Sequence, residues 1–329
     1  MAVKFLIMAA ILFYLFSQAL QNEAFETMAQ RPKHWGMLSA AFFCHIAAVL
    51  ITFFRWQYLT RTLKVDATAR DAVQIGFIGF LFNLAPLGIV GGDLVRSLIL
   101  FQRFPGQKTK ILASIFLDRI VGLYAMFLLA LMAIYATGFC FLKDSLAQSV
   151  TTTLWLIVVG STLMLLGVLF FGSTPWMLRF VEKIPKIGHF LHEIVLAIRT
   201  YRHHQVQLML SIVMTFPVHI LFSVGIWCIA MALYGSVPSV WDHFVLHPVA
   251  NITSMIPLPI GPYEYVLDRL YPMMQVSGGQ PLPSGYGLVI ALVYRLISLL
   301  IGGLSLVFYF ADRSEIQKAM QNAGKNPQE

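Results

Sequence analysis

Carboxylates and arginines recur inside otherwise apolar stretches of this chain, and their spacing suggests anion binding. Asp93 and Arg96 are three residues apart, Asp118 and Arg119 are adjacent, and Glu264, Asp268 and Arg269 fall within six residues; Arg295 stands alone in a long apolar run. An ionisable side chain at membrane depth is costly, so each needs a partner or a pathway. Asp93 precedes Arg119 by 26 residues and Glu264 precedes Arg295 by 31, so two acids each have an arginine further along the chain, and cross-pairing between them is expected. Arginine presents a fork that matches phosphate bidentately, while a carboxylate can orient the arginine or accept a proton. The competing reading is a set of internal ion pairs that fix helix packing.

Two of these acids close similar motifs. Pro86-Leu87-Gly88-Ile89-Val90-Gly91-Gly92-Asp93 and Pro257-Leu258-Pro259-Ile260-Gly261-Pro262-Tyr263-Glu264 each end in a carboxylate seven residues after the first proline. Proline lacks an amide donor and glycine adds backbone entropy, so each motif breaks a helix. Irregular backbone survives at membrane depth only where protein or water satisfies its amides. Exposed Gly91 and Gly92 amides at the start of a half-helix would favour an anion, and Asp93 could instead cap that helix. Tyr263, Tyr271 and Tyr286 suit an interfacial aromatic belt, with stacking on a sugar as the functional option. His45 and His219 read as packing histidines, with proton relay as the alternative.

The elements carrying these residues are membrane helices. The chain is 58% hydrophobic and 12% charged, and a soluble domain carries about twice that charge. About 20 apolar residues cross the hydrocarbon core, which gives six spans near 4–20, 38–54, 111–137, 150–171, 206–234 and 286–310. The broken stretches near 72–102 and 244–275 read as re-entrant hairpins. Net charge is +8, but the basic residues lie in short loops, which argues against nucleic acid. With a cytoplasmic N-terminus, the inner side gathers Lys4, the groups Arg55 to Arg70 and Arg103 to Lys110, Arg179 to Arg202 and the tail, against Arg31, Lys33 and Lys143 outside. That asymmetry places both termini in the cytoplasm and the chain in the plasma (inner) membrane.

Span, span, hairpin, span then occurs twice. Residues 1–137 form a first repeat with a cytoplasmic-side hairpin, 138–149 an external loop, 150–312 a second repeat with an external-side hairpin, and 313–329 a polar cytoplasmic tail. The two copies enter the membrane from opposite sides, as inverted transporter repeats do. Residues 176–205 read as an amphipathic cytoplasmic connector. Cys44, Cys140 and Cys228 lack a C-x-x-C spacing and read as packing residues. The His189 to Glu193 stretch fits no zinc signature and Gly106 to Thr109 no phosphate loop, so neither metal nor cofactor is expected.

The chain resembles the transmembrane family of lysylphosphatidylglycerol synthase, or flippase-like proteins. The likeness rests on Pro86 through Arg96, on Asp118-Arg119 with Gly122-Leu123, and on Pro257 through Glu264 with Arg295. Pro262-Tyr263 stands where the family is richer in glycine. The resemblance implies lipid translocation more than synthesis, because the soluble transferase domain that some members carry is missing here. It implies substrate binding by Asp93, Arg96, Arg119, Glu264 and Arg295, with Gly91, Gly92, Asp118, Asp268, Arg269 and Tyr263 as secondary candidates. The expected partner is an anionic phospholipid or polyprenyl-phosphate lipid, and an oligomer is compatible with the sequence. Two other classes stay open: an intramembrane transferase with Glu264 or Asp93 as general base, and an accessory subunit whose charges only pack helices.

Overall fold

A computed structural model describes residues 2–84, 89–171, 204–255, 258, 260–276 and 282–313, with Arg179, Lys183, His192 and Tyr201. Pro86 to Gly88, Pro257, Pro259, the tail beyond 313 and nearly all of the 176–205 connector lie outside the described residues. Among the described residues every regular element is helical. The α-helices are α1 (Ala2–Gln21), α2 (Ala24–Gln30), α3 (Trp35–Thr62), α4 (Ala69–Asn83), α5 (Ile89–Arg103), α6 (Lys108–Ala136), α7 (Ser145–Phe171), α8 (Gln205–Tyr234), α9 (Val240–Asn251), α10 (Pro262–Leu270) and α11 (Tyr286–Ala311).

Five of these, α3, α6, α7, α8 and α11, are long and apolar enough to cross a membrane. Leucine, valine and phenylalanine side chains stand exposed along their outer faces, among them Phe43, Leu156, Leu163, Val213, Leu299 and Val307. Exposed apolar surface on this scale suits lipid rather than water. In contrast, α4 and α5 have 15 residues each, α9 has 12 and α10 has 9. At 1.5 Å per residue each is too short to span a core about 30 Å thick.

α3 and α8 pack along one another at the centre. α4 packs on α5 and α9 on α10, so each broken stretch folds as a pair of short helices. Packing then runs crosswise: α6 lies against α9, while α11 lies against α4. Each short pair also touches the long helix that follows it, α5 against α6 and α10 against α11.

The same device opens both pairs. Thr68 and Ser239 accept from the backbone amides of Asp71 and Asp242, whose carboxylates accept in return from the Thr68 and Ser239 amides. Such capping boxes satisfy two helix-end donors that no intrahelical carbonyl can reach. The second break ends at Gly261, whose φ of 112° excludes most side chains, followed by Pro262 in the first helical turn. Proline there costs nothing, since its missing amide would have been unpaired.

Asp71 also pairs with Arg103 at the end of α5, which ties the open ends of α4 and α5 together outside the five spans. Burial pushes its carboxyl up, but the Thr68 hydroxyl and amide and the Arg103 guanidinium outweigh that and hold it below the usual range. A depressed folded value means the contribution is complete above the unfolded value of about 4 and fades as pH falls through the folded one. Thr68→Ala and Ser239→Ala are each expected to cost about 1 kcal/mol at neutral pH, read as a lower melting temperature in detergent. For Thr68→Ala the deficit shrinks as pH drops below about 4.

Candidate functional site

α6 carries the centre of the first charge cluster. Neighbouring helical residues point about 100° apart, so Asp118 and Arg119, three turns into α6, serve different partners. Arg119 turns to α5, donating from Nε to Asp93 Oδ2 at 2.8 Å and from Nη2 to Oδ1 at 2.6 Å. This is a fork-to-fork pair, the strongest geometry open to the two groups. Asp118 turns to α3, where its Oδ1 accepts from Arg55 Nε at 2.8 Å, and Arg55 Nη1 donates to Thr215 Oγ1 on α8 at 2.8 Å. Arg96, one turn after Asp93, holds Nη1 3.8 Å from its carboxylate and donates from Nη2 to Gly76 O at 3.3 Å, lying over the Phe53 ring. Three arginines thus face two aspartates in one connected cluster, leaving an excess of positive charge.

The second cluster is built on α10 and α11. Glu264 is fully buried and divides its two oxygens: Oε2 accepts from the Gly261 amide at 2.7 Å, closing the start of α10, and Oε1 accepts from Arg295 Nε at 2.5 Å. Asp268, one turn on, accepts from the Gly285 and Leu288 amides at 2.7 and 3.1 Å. It therefore caps α11 from a neighbouring helix, where a carboxylate also meets the positive end of the helix dipole. The close approach needs Gly287, since a β-carbon there would sit 2.5 Å from Asp268 Cα.

Exposure separates two arginines from the others. The Arg119 and Arg295 side chains are 36% and 34% open, against 5% for Arg55 and 9% for Arg96. Arg119 and Arg295 are also the arginines that hydrogen-bond the acids closing the broken motifs. The acid–arginine pairs form within each part of the chain, and among the described residues no cross-pair between the parts is seen.

Several secondary candidates play other parts. Gly91 and Gly92 are buried in the first turn of α5, and a β-carbon on Gly92 would lie 2.3 Å from Gly79 O on α4. Asp93 is the fifth residue of α5 and bonds Arg119, so it is not that helix's N-cap. Arg269 is exposed and lies against Tyr265, apart from either cluster. Tyr263, Tyr271 and Tyr286 face inward rather than forming a belt: their hydroxyls meet His247 at 3.0 Å, His243 at 2.9 Å and Thr27 at 3.1 Å.

Arg55, read from the sequence as a cytoplasmic loop charge, is buried within α3. The available signal was the apolar rhythm of Phe53, Trp56 and Leu59, all buried, which carries the helix to Thr62. His243 and His247 were missed as well, although their spacing of four residues puts them on one face of α9.

Helices of membrane length around buried ion pairs define an α-helical integral membrane protein. The chain belongs to the family described as the lysylphosphatidylglycerol synthase TM region, whose model matches residues 1–305, and is thus a lipid-related membrane protein. No curated protein matches it, and no solved structure does.

The Arg55–Asp118 pair joins α3, α6 and α8 away from solvent. Removing one partner leaves a buried charge unpaired, which costs about 3–5 kcal/mol. Asp118→Asn and Arg55→Gln are expected to lower thermal stability in detergent by that order, and Arg55→Met with Asp118→Leu to recover most of it.

Proposed function

We infer that this protein moves the headgroup of an anionic lipid, a phospholipid or a polyprenyl-phosphate type, between the leaflets of the inner membrane. The observation that carries this reading is the matched pair of acid–arginine contacts, Asp93–Arg119 and Glu264–Arg295, in each of which the arginine keeps about a third of its surface open. Among the described residues Arg295 donates from Nε to Glu264, and Arg119 from Nε and Nη2 to Asp93. Both keep N–H groups for a phosphate, which offers the same planar spacing of acceptors as a carboxylate.

In this reading the halves are inverted repeats with both termini in the cytoplasm, and α4–α5 and α9–α10 are re-entrant hairpins entering from opposite sides. Support comes from the crosswise packing of α6 on α9 and α11 on α4, and from the capping box that opens each pair. Opposed hairpins would line a central polar cavity. The acyl tails stay in hydrocarbon while the headgroup crosses, so the protein need only offset headgroup desolvation, and the arginines do so. A phosphate that displaces Asp93 from Arg119 brings its own negative charge, which the excess positive charge of the first cluster offsets. Glu264 retains the Gly261 amide when displaced.

Leaflet exchange of a fluorescent anionic phospholipid in proteoliposomes tests the reading. Exchange well above empty vesicles is expected for the native chain. Arg119→Gln and Glu264→Gln, at equal folded incorporation, are expected to slow it at least about tenfold, since a charge-assisted hydrogen bond contributes about 1.5–3 kcal/mol. Native exchange equal to empty vesicles overturns the proposal for that lipid, and a new lipid product seen by mass spectrometry would favour the transferase alternative.

A further inference from the structure

Arg96 is the charge that the ion pairs leave over. Arg55 is matched by Asp118 and Arg119 by Asp93, each at hydrogen-bond distance, whereas Arg96 holds Nη1 3.8 Å from Asp93 Oδ1. Its Nη2 donates to Gly76 O at 3.3 Å, and its buried Nε has no partner. The charges acting on it are those of Arg119, Asp93, Asp118 and Arg55, so with three arginines and two aspartates the cluster carries one net positive charge. At the open ends of α4 and α5 the charges of Asp71 and Arg103 cancel. A guanidinium only 9% open with a donor unmet is costly, because a buried charge needs both a counter-charge and hydrogen bonds.

Packing keeps this arginine in place. Its guanidinium lies over the Phe53 ring of α3, 5.6 Å from the centroid. On the α4 side a β-carbon at Gly79 would sit 2.2 Å from Arg96 Nε, so the glycine opens the slot that the side chain crosses. Asp93 and Arg96 stand three residues apart on α5, and such a pair stays within reach whatever α6 does. Glu264 is held on a similar plan, with Arg295 on one oxygen and the Gly261 amide on the other. Each acid that closes a broken motif thus has a second partner beside its exposed arginine. In the second cluster that partner is a neutral amide; in the first it is a full charge.

We propose that Arg96 is a specificity-determining residue, a reserve counter-ion that holds Asp93 when Arg119 turns to a headgroup, so that the first cluster accepts one net negative charge. Closing the 3.8 Å gap to a charge-assisted hydrogen bond takes about 1 Å of movement. The Arg119 fork is then free for phosphate, and the pair left on α5 is neutral. A phosphodiester headgroup with no cation of its own brings one negative charge and leaves every charge in the cluster matched. A zwitterionic headgroup leaves the positive charge uncompensated, and a phosphomonoester, with a charge of about −1.5 to −2 at pH 7, leaves an excess of negative charge. As a transported class the phosphodiester rests on the translocation reading; the charge selectivity of binding does not.

Binding is read first, without leaflet movement. Titration calorimetry of the full chain in nonionic detergent, with dihexanoyl phosphatidylglycerol and dihexanoyl phosphatidylcholine as soluble probes, is expected to show at least about tenfold tighter binding of the anionic lipid, as one charge-assisted contact provides. Arg96→Gln is expected to bring that ratio close to one. Adding Asp93→Asn to Arg96→Gln restores the single net charge and frees the Arg119 fork, and is expected to return the preference; Arg96→Lys, which keeps the charge, is expected to retain it. A merely structural arginine predicts a double variant at least as impaired as the single one. Equal binding of the two lipids by the native chain, binding of neither, or a double variant without the preference overturns the proposal, and the double variant decides even where Arg96→Gln alone does not fold. In proteoliposomes the same two headgroups on fluorescent acyl chains are expected to exchange in the same order. Selective binding with exchange equal to empty vesicles overturns the translocation reading alone.

Discussion

A carboxylate held away from water must find a cation or a ring of amides, and the architecture of this protein follows from how each buried acid meets that demand. Asp93 and Asp118 are held by arginines from other helices, Glu264 by one arginine and one amide, and Asp268 by amides alone. In a low-dielectric interior an ion pair gains little net free energy over an apolar pair, yet breaking one is expensive. These contacts therefore specify which helices meet more than they add stability. α3, α5, α6 and α8 converge on the Arg55, Asp118, Arg119 and Asp93 set, and α10 and α11 on Glu264 and Arg295.

Short helices are the second constraint. Each is too brief to span the bilayer, and its terminal amides and carbonyls need partners. The fold answers with capping boxes at Thr68 and Ser239, with Glu264 at the Gly261 turn, and with Asp268 borrowed by α11. The acids that suggest ligand chemistry are in part the fittings that satisfy helix ends. One residue fills both roles without conflict because a carboxylate has two oxygens.

The ion pairs were legible in the sequence because the cost of a membrane charge makes any acid or arginine in an apolar run conspicuous. Their partners were partly legible too, since each acid sits on a short helix that packs against the long helix carrying its arginine. Arg55 was hidden by helix length: placed at the end of a span of minimum size it reads as a loop residue, whereas α3 continues to Thr62. The tyrosines misled for a physical reason, since an amphipathic ring suits an interface and a buried imidazole equally, and only the fold decides between them. Hydrogen-bond direction at His219 and His247 depends on a carbonyl and a hydroxyl from other helices, which linear spacing does not reveal.

Asp118 and Arg119 are consecutive residues gripping opposite neighbours, and this makes α6 a helix with two clamped sides. A helix that turns about its own axis carries both residues through the same angle. Rotation that would draw Arg119 away from Asp93 also drives Asp118 against Arg55, which Thr215 steadies from α8. α6 is thus braced as a stator, and the Arg119 fork can be released only by rearrangement of its own flexible side chain or by displacement of α5.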